Sequence, residues 1–309
     1  MTQVITPPVQ LRASAPAATL LAKLGPLAEL PGTWMGKGFN LISLPDFQNQ
    51  HSFRLKLNVT QEMLAFTSIG APIPNRGFFQ NDIFFVGLHY FQQISDAFTS
   101  GGLHLETGMW LYVPETTAPA QKTSIVRLST IPHGDSLLAQ GHATTNSGFS
   151  PPFAPADALP FTLDPQTGAR KDVTNQQYLA PFNNAQLPPG IPAGSQFDPG
   201  LVLSEVLQNE FKAGQKMDYA QVIQVDARPV GGINDTPVQP QPEEVGGIVN
   251  IPFVRVNANA GSFSARFVIE TMQDTDGRQF LQLQYIQTVI LEFENLFWPH
   301  ISVGTLVKQ

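Results

Sequence analysis

The chain has 309 residues, of which 42% are hydrophobic and only 13% charged, with 17 basic against 24 acidic side chains and a net charge of −7. No basic stripe of the kind that tracks phosphates is present, so nucleic acid is not an expected partner. The absence of cysteine excludes disulfides, thiolate-bound zinc, iron–sulfur clusters and a cysteine nucleophile.

With 25 glycines, 27 prolines and 22 phenylalanines, the composition points to an all-β protein with a neutral, amide- and hydroxyl-rich surface. No run approaches the ~20 apolar residues of a membrane span. The start, Met1-Thr-Gln-Val-Ile-Thr-Pro-Pro8, lacks the basic and apolar regions of a signal peptide. The expectation is a soluble, cytoplasmic protein; these patterns imply no oligomeric state.

In chain order, residues 1–15 read as a loose arm. Ala17 to Leu30 has helical spacing, interrupted by Pro26, and would lie as a plug or lid against a barrel. From Gly32 the period changes to two, with strand-like runs at 33–43, 52–59, 62–69, 82–93, 102–113, 123–131 and 136–145. Residues 146–199 carry ten prolines and little alternation, which marks an excursion from the sheet: a surface-hugging loop or a cap over a ligand entrance. Asp198-Pro199 then offers an N-cap and first-turn proline for a helix through about Phe211.

Strand patterns resume at 217–228. After a Pro/Gly loop at 229–247 they continue at 248–257, 261–273, 278–293 and 300–307, with Asp276-Gly277 as a hairpin signal. In 261–273, Phe263, Ala265, Phe267 and Ile269 share one face, and Ser264, Arg266 and Glu270 the other. In 278–293, Leu281, Leu283, Tyr285, Val289, Leu291 and Phe293 share a side. The pattern predicts a single closed antiparallel β-barrel of about ten strands over residues 16–309, with one short N-terminal helix, one further helix, and loop insertions at 146–199 and 229–247.

Chemistry concentrates in six histidines: His51, His89, His104, His133, His142 and His300. None forms a close metal-binding pair, so zinc is not signalled, and no nucleophile elbow, P-loop or dinucleotide fingerprint is present. Asp274-Thr-Asp-Gly277 reads as a turn rather than a calcium loop, because its glycine comes too early and the downstream glutamate is missing. His300 comes after Trp298-Pro299 and opens the last strand; His133 sits in a turn, Ile131-Pro-His-Gly134; His104 stands two before Glu106 and six before Trp110. His300 and His133 are each either a hydrogen-bonded rim residue or a cavity residue; His104 points either into the cavity beside Glu106 and Trp110 or to solvent. Should the first and last strands pair, His300 stands at the barrel mouth or on its inner wall, and Trp34 plugs one end.

The opening Leu30-Pro-Gly-Thr-Trp-Met-Gly-Lys-Gly38, preceded by a short helix, resembles the nitrobindins and the wider fatty-acid-binding-protein-like (calycin) barrels. That likeness rests on Gly32, Thr33, Trp34, Gly36, Gly38 and His300, and is confined to the two ends of the chain. The blocks Ile73–Gly77, Glu106–Trp110, Ile131–Gly134 and Leu283–Tyr285 through Trp298–His300 resemble a larger group of uncharacterised bacterial and fungal proteins labelled haem-binding or peroxidase-like. Nitrobindins are much shorter, and the two insertions have no counterpart in them.

The resemblance implies ferric haem in an apolar cavity with His300 as axial ligand. Trp34, Thr33, Trp110 and Arg127 would line the cofactor, and Arg127, Arg76 or Lys37 would meet the propionates. His104 or His133 on the distal side would favour peroxide chemistry; otherwise small gases or nitrobindin-type reactions are expected. The alternative is a carrier for a fatty acid, terpenoid or other apolar ligand, with Arg127 or Arg266 meeting a carboxylate. A third reading, a cofactor-free enzyme, requires Glu106 or Asp226 buried beside a histidine.

Overall fold

Period-two alternation is realised as a barrel. The computed structural model describes residues 22–146, 153–227 and 246–309. Its ten long strands are β1 (Gly32–Asp46), β2 (His51–Ser68), β3 (Ile83–Asp96), β4 (Gly102–Val113), β5 (Ser124–Ile131), β6 (Asp135–Asn146), β7 (Lys216–Ala227), β8 (Asn259–Gln273), β9 (Gln279–Phe293) and β10 (Leu296–Lys308). They pair antiparallel in chain order, and β1 pairs β10 from Trp34↔Lys308 to Leu41↔Ile301, which closes the sheet. Closure leaves no long free edge. The first and last long strands thus pair, as the opening and closing motifs imply.

Three α-helices lie wholly within the described residues: α1 (Gln176–Asn183), α2 (Gly200–Lys212) and α3 (Pro252–Asn257). The expected single further helix is therefore one of three. The 146–199 excursion is more ordered than a loop: it holds α1 and two short strands, Phe161–Leu163 and Arg170–Asp172, the first of which pairs β10 at Phe297. The expected strand at 248–257 is a short strand, Gly247–Asn250, followed by α3, because Pro252 takes the first helical turn, where its missing N–H costs nothing. The two runs at 52–59 and 62–69 are one strand, β2. Of the N-terminal helix, residues 22–30 show a short helical end and a 3-10 turn at Gly25–Leu27. The arm at 1–15, Ala17–Leu21 and nearly all of the 229–247 loop lie outside the described residues.

Two cores result. Inside the barrel, Leu24, Leu27 and Leu30 cap one end over Trp34, Leu64, Phe66, Leu88, Trp110, Ile125 and Leu306. Alternation on β8 and β9 places Phe263, Ala265, Phe267, Ile269, Leu283 and Tyr285 in that interior. Outside, Phe39, Leu41, Val268, Ile301 and Val303 on the barrel wall are covered by Phe182 of α1 and Leu203 of α2. Trp298 joins this outer core, stacked on Phe293 with ring centroids 4.9 Å apart.

The cap is tied to the barrel by hydrogen bonds from Trp34 Nε1 to the Leu30 carbonyl at 2.8 Å, from Lys308 Nζ to the Glu29 carbonyl at 2.6 Å, and from Tyr219 OH to the Glu29 carboxylate. Trp34→Phe leaves the buried Leu30 carbonyl without its donor and is expected to cost ~1–2 kcal/mol, read from the urea midpoint.

Candidate functional site

The end opposite the cap is the mouth, where His104, His133 and His300 keep some exposure. Strand parity brings them there. On β10, Leu306, Gly304, Ser302 and His300 succeed one another up the inner wall, and on β1 Trp34, Gly36, Gly38 and Asn40 do the same. His300 Nε2 donates to Asn40 Oδ1 at 2.8 Å, and Ser302 Oγ donates to the same oxygen at 3.1 Å. With Nε2 committed, Nδ1 is the nitrogen left with a free lone pair. Burial, followed by the charges that His104 and His133 can carry, pushes the His300 imidazole down to about 3, so it is neutral at ordinary pH. The His133 ring lies 5.5 Å from that of His104.

Beneath the histidines the barrel floor is polar and fully buried. His104 Nε2 lies 3.2 Å from Glu106 Oε2. Arg127 Nη2 donates to Glu106 Oε1 at 2.7 Å, Nη1 to Gln287 Oε1 at 2.9 Å, and Nε to Tyr90 OH at 3.2 Å. Tyr90 OH also donates to Glu106 and lies 2.6 Å from Ser129 Oγ. The rings of Tyr90, Trp110, Phe263 and Phe267 surround the Arg127 guanidinium at 5.1–5.6 Å. Burial pushes the Glu106 carboxyl up, but the charge of Arg127, with His104, outweighs it and holds Glu106 well below the usual carboxylate range.

A second buried carboxyl, Glu62, makes no ion pair among the described residues, although it feels the charge that His104 can carry. Tyr285 OH donates to its Oε2 at 2.5 Å and Thr60 Oγ to its Oε1 at 2.6 Å; Gln92 Nε2 donates to Tyr285 OH at 3.3 Å. Burial raises Glu62 despite these bonds.

The predicted site residues divide accordingly. His300, His104, His133, Glu106 and Arg127 converge on the mouth and its floor. Trp110 packs in the apolar interior against Arg127. Thr33 and Trp34 do not belong with His300: they sit at the capped end, and Trp34 pairs Lys308, eight residues along β10 from His300, roughly 26 Å at strand rise. Arg76 is on an exposed loop paired to Asp82, Lys37 is on the outer surface, and Arg266 points outward on β8. Asp226 is exposed, so the buried acid beside a histidine is Glu106. His51, His89 and His142 are on the outer surface. Among the described residues no three His, Asp or Glu side chains stand close enough to chelate a metal ion.

Hydropathy patterning misses Asn40, Ser302, Glu62, Tyr90, Gln92 and Tyr285 as site residues. The signal available for the first two was parity with Trp34 on β1 and with His300 on β10.

No family model and no curated protein matches the chain. Among solved structures it is similar to Rv2717c from M. tuberculosis, at 13% identity and a TM-score of 0.42, covering 96% of this chain and 99% of that one.

Proposed function

We propose that the protein binds haem at the barrel mouth, with His300 as the axial ligand. The observation that carries this reading is the state of His300. Its imidazole is on the inner wall of the barrel, lowered by burial towards the neutral form; Nε2 is held by Asn40 Oδ1, itself held by Ser302 Oγ, which leaves Nδ1 with a free lone pair. Neutrality and an oriented second nitrogen are what an iron-ligating histidine requires. Haem held there would supply an iron centre able to bind small gases or peroxide. The chain would supply the acid–base groups: His104, 3.2 Å from Glu106, and His133, whose ring is 5.5 Å from that of His104, would hold or pass a proton.

Two features weigh against a carrier with its ligand along the barrel axis. The capped half of the lumen is filled by Leu27, Trp34, Leu64, Leu88, Trp110, Leu283 and Leu306, all at or below 1% exposure. Arg127, the inward arginine a ligand carboxylate would need, is already neutralised by Glu106.

The test is a haemin titration read by absorption. Wild-type protein is expected to give a saturable, sharpened Soret band, and His300→Ala to lose it or shift it. Asn40→Ala, which frees the imidazole, is expected to keep the band with weaker affinity, by ~10–100-fold. A wild-type titration indistinguishable from free haemin overturns the proposal.

A further inference from the structure

On the outer wall, α2 packs Leu203 and Leu207 against the sheet, but its last turn meets β8 and β9 through an acid bridge. Gln282 of β9 donates from one amide nitrogen to two carboxyls, Glu210 Oε2 of α2 and Glu270 Oε2 of β8, each at 2.9 Å. Glu270 and Gln282 are 0% and 1% exposed. The other carboxyl oxygen of Glu270 is buried and has no partner. Nearer the start of the helix, Gln284 Nε2 donates to the Leu203 carbonyl at 3.1 Å and to Thr305 Oγ at 3.0 Å.

Among the described residues no cation pairs with the two acids. Glu270 stands opposite Ala220 on β7 and Gln282 on β9, and Glu210 is the titratable group that faces it from α2. Glu205 and Lys212 of α2 are exposed, as is Lys216 of β7; Arg266, the cation on β8, is four residues away. The seam therefore holds two carboxyls and one amide donor, an arrangement that fits one ionised and one protonated acid but not two ionised ones.

We propose that Glu210, Gln282 and Glu270 form a proton-dependent latch that keeps α2 on the barrel wall and loosens as the pair loses its shared proton. With Glu270 protonated, one negative charge sits in the seam and Gln282 stabilises it. When Glu270 ionises, two like charges compete for one donor in a dry interface, and release of α2 returns both to water. Burial, and secondarily Glu210, carry the Glu270 carboxyl up to about 8, and burial raises Glu210 as well.

The docked state keeps a proton that a solvated glutamate, with its usual value of 4.5, gives up. Docking is thus strongest below that value and weakens as pH rises towards 8. Above 8 it levels off, because both states are then ionised.

The test is amide hydrogen exchange on the full chain between pH 5.5 and 8.5, with protection corrected for intrinsic exchange. Amides of Leu207–Lys212 are expected to lose about tenfold in protection per pH unit up to pH 8 and then level off. Amides of β4 and β5 should hold their protection throughout. Glu270→Gln should abolish the slope and keep α2 protected at pH 8; Glu210→Gln, which removes the repulsion but not the burial, should bring the levelling-off to lower pH. Three results overturn the latch: flat α2 protection in the wild type, loss of α2 and β8 protection together, or a wild-type slope that survives in Glu270→Gln. If Glu270→Gln does not fold, the wild-type profile and a levelling-off in Glu210→Gln at the wild-type pH decide in the same way.

Discussion

Arg127→Met is expected to destabilise the barrel by ~3–5 kcal/mol, because it leaves Glu106 ionised, buried and without its counter-charge. The side chain also fills space among four aromatic rings, and methionine replaces the packing but not the charge. Glu106→Gln should cost a comparable amount by stranding the guanidinium. The double variant Arg127→Met/Glu106→Gln should be milder than the sum of the two, since the partners share one interaction.

The pH dependence distinguishes loss of an ion pair from a packing defect. Glu106 is held below the usual carboxylate range in the folded protein, so its contribution is present above about 4.5 and is lost as pH falls towards the folded value. The gap in urea midpoint between wild type and Glu106→Gln should therefore be constant from pH 8 to pH 5 and narrow below that. A gap that is independent of pH down to 3 would mean that the pair contributes through shape alone.

The same pair explains which parts of the molecule are legible in the sequence. Strands with a purely apolar inner face, such as β8, read cleanly because Phe263, Ala265, Phe267 and Ile269 alternate without interruption. β2 reads as two runs because Thr60 and Glu62 turn inward in mid-strand, which breaks the apolar alternation where the interior is polar. The β9–β10 turn is invisible for a different reason. Glu294 and Asn295 both take positive φ, 54° and 58°, a geometry signalled by Asn-Gly pairs and seldom adopted by glutamate. Among site residues, histidines and the inward arginine stand out because they are scarce. Asn40 and Gln92 do not, because a polar residue on a strand is ordinarily an outward one, and Tyr285 reads only as part of the apolar face. A barrel with a hydrogen-bonded floor inverts that rule, and only the register across β1, β9 and β10 reveals it.

That register yields the second large effect. Gly38 of β1 pairs Gly304 of β10 where the barrel closes, and Tyr285 of β9 pairs Gly304 from the other side. The two glycines leave the space that Glu62 and Tyr285 fill. A Cβ on Gly38 would lie 2.1 Å from the Val303 carbonyl oxygen, 2.6 Å from Glu62 Oε1 and 2.7 Å from Thr60 Oγ. A Cβ on Gly304 would lie 2.5 Å from the Tyr285 ring and 3.1 Å from Glu62 Oε2. The first clash is with backbone and no rotamer change relieves it, so β1 and β10 must separate at the closure. Gly38→Ala is expected to cost about 3 kcal/mol, the upper end of what overpacking does. Gly304→Ala meets side chains and should cost less, with a changed near-UV signal from Tyr285. Gly102, with nothing within 4 Å of its added Cβ, is the control, and Gly102→Ala should stay within ~0.5 kcal/mol of wild type. Equal stability of the Gly38 and Gly102 variants would contradict the β1–β10 register. Since His300, Ser302 and Asn40 lie on the same two strands, strain at Gly38 should also weaken the haemin binding proposed for His300, although Gly38 itself touches none of the three histidines.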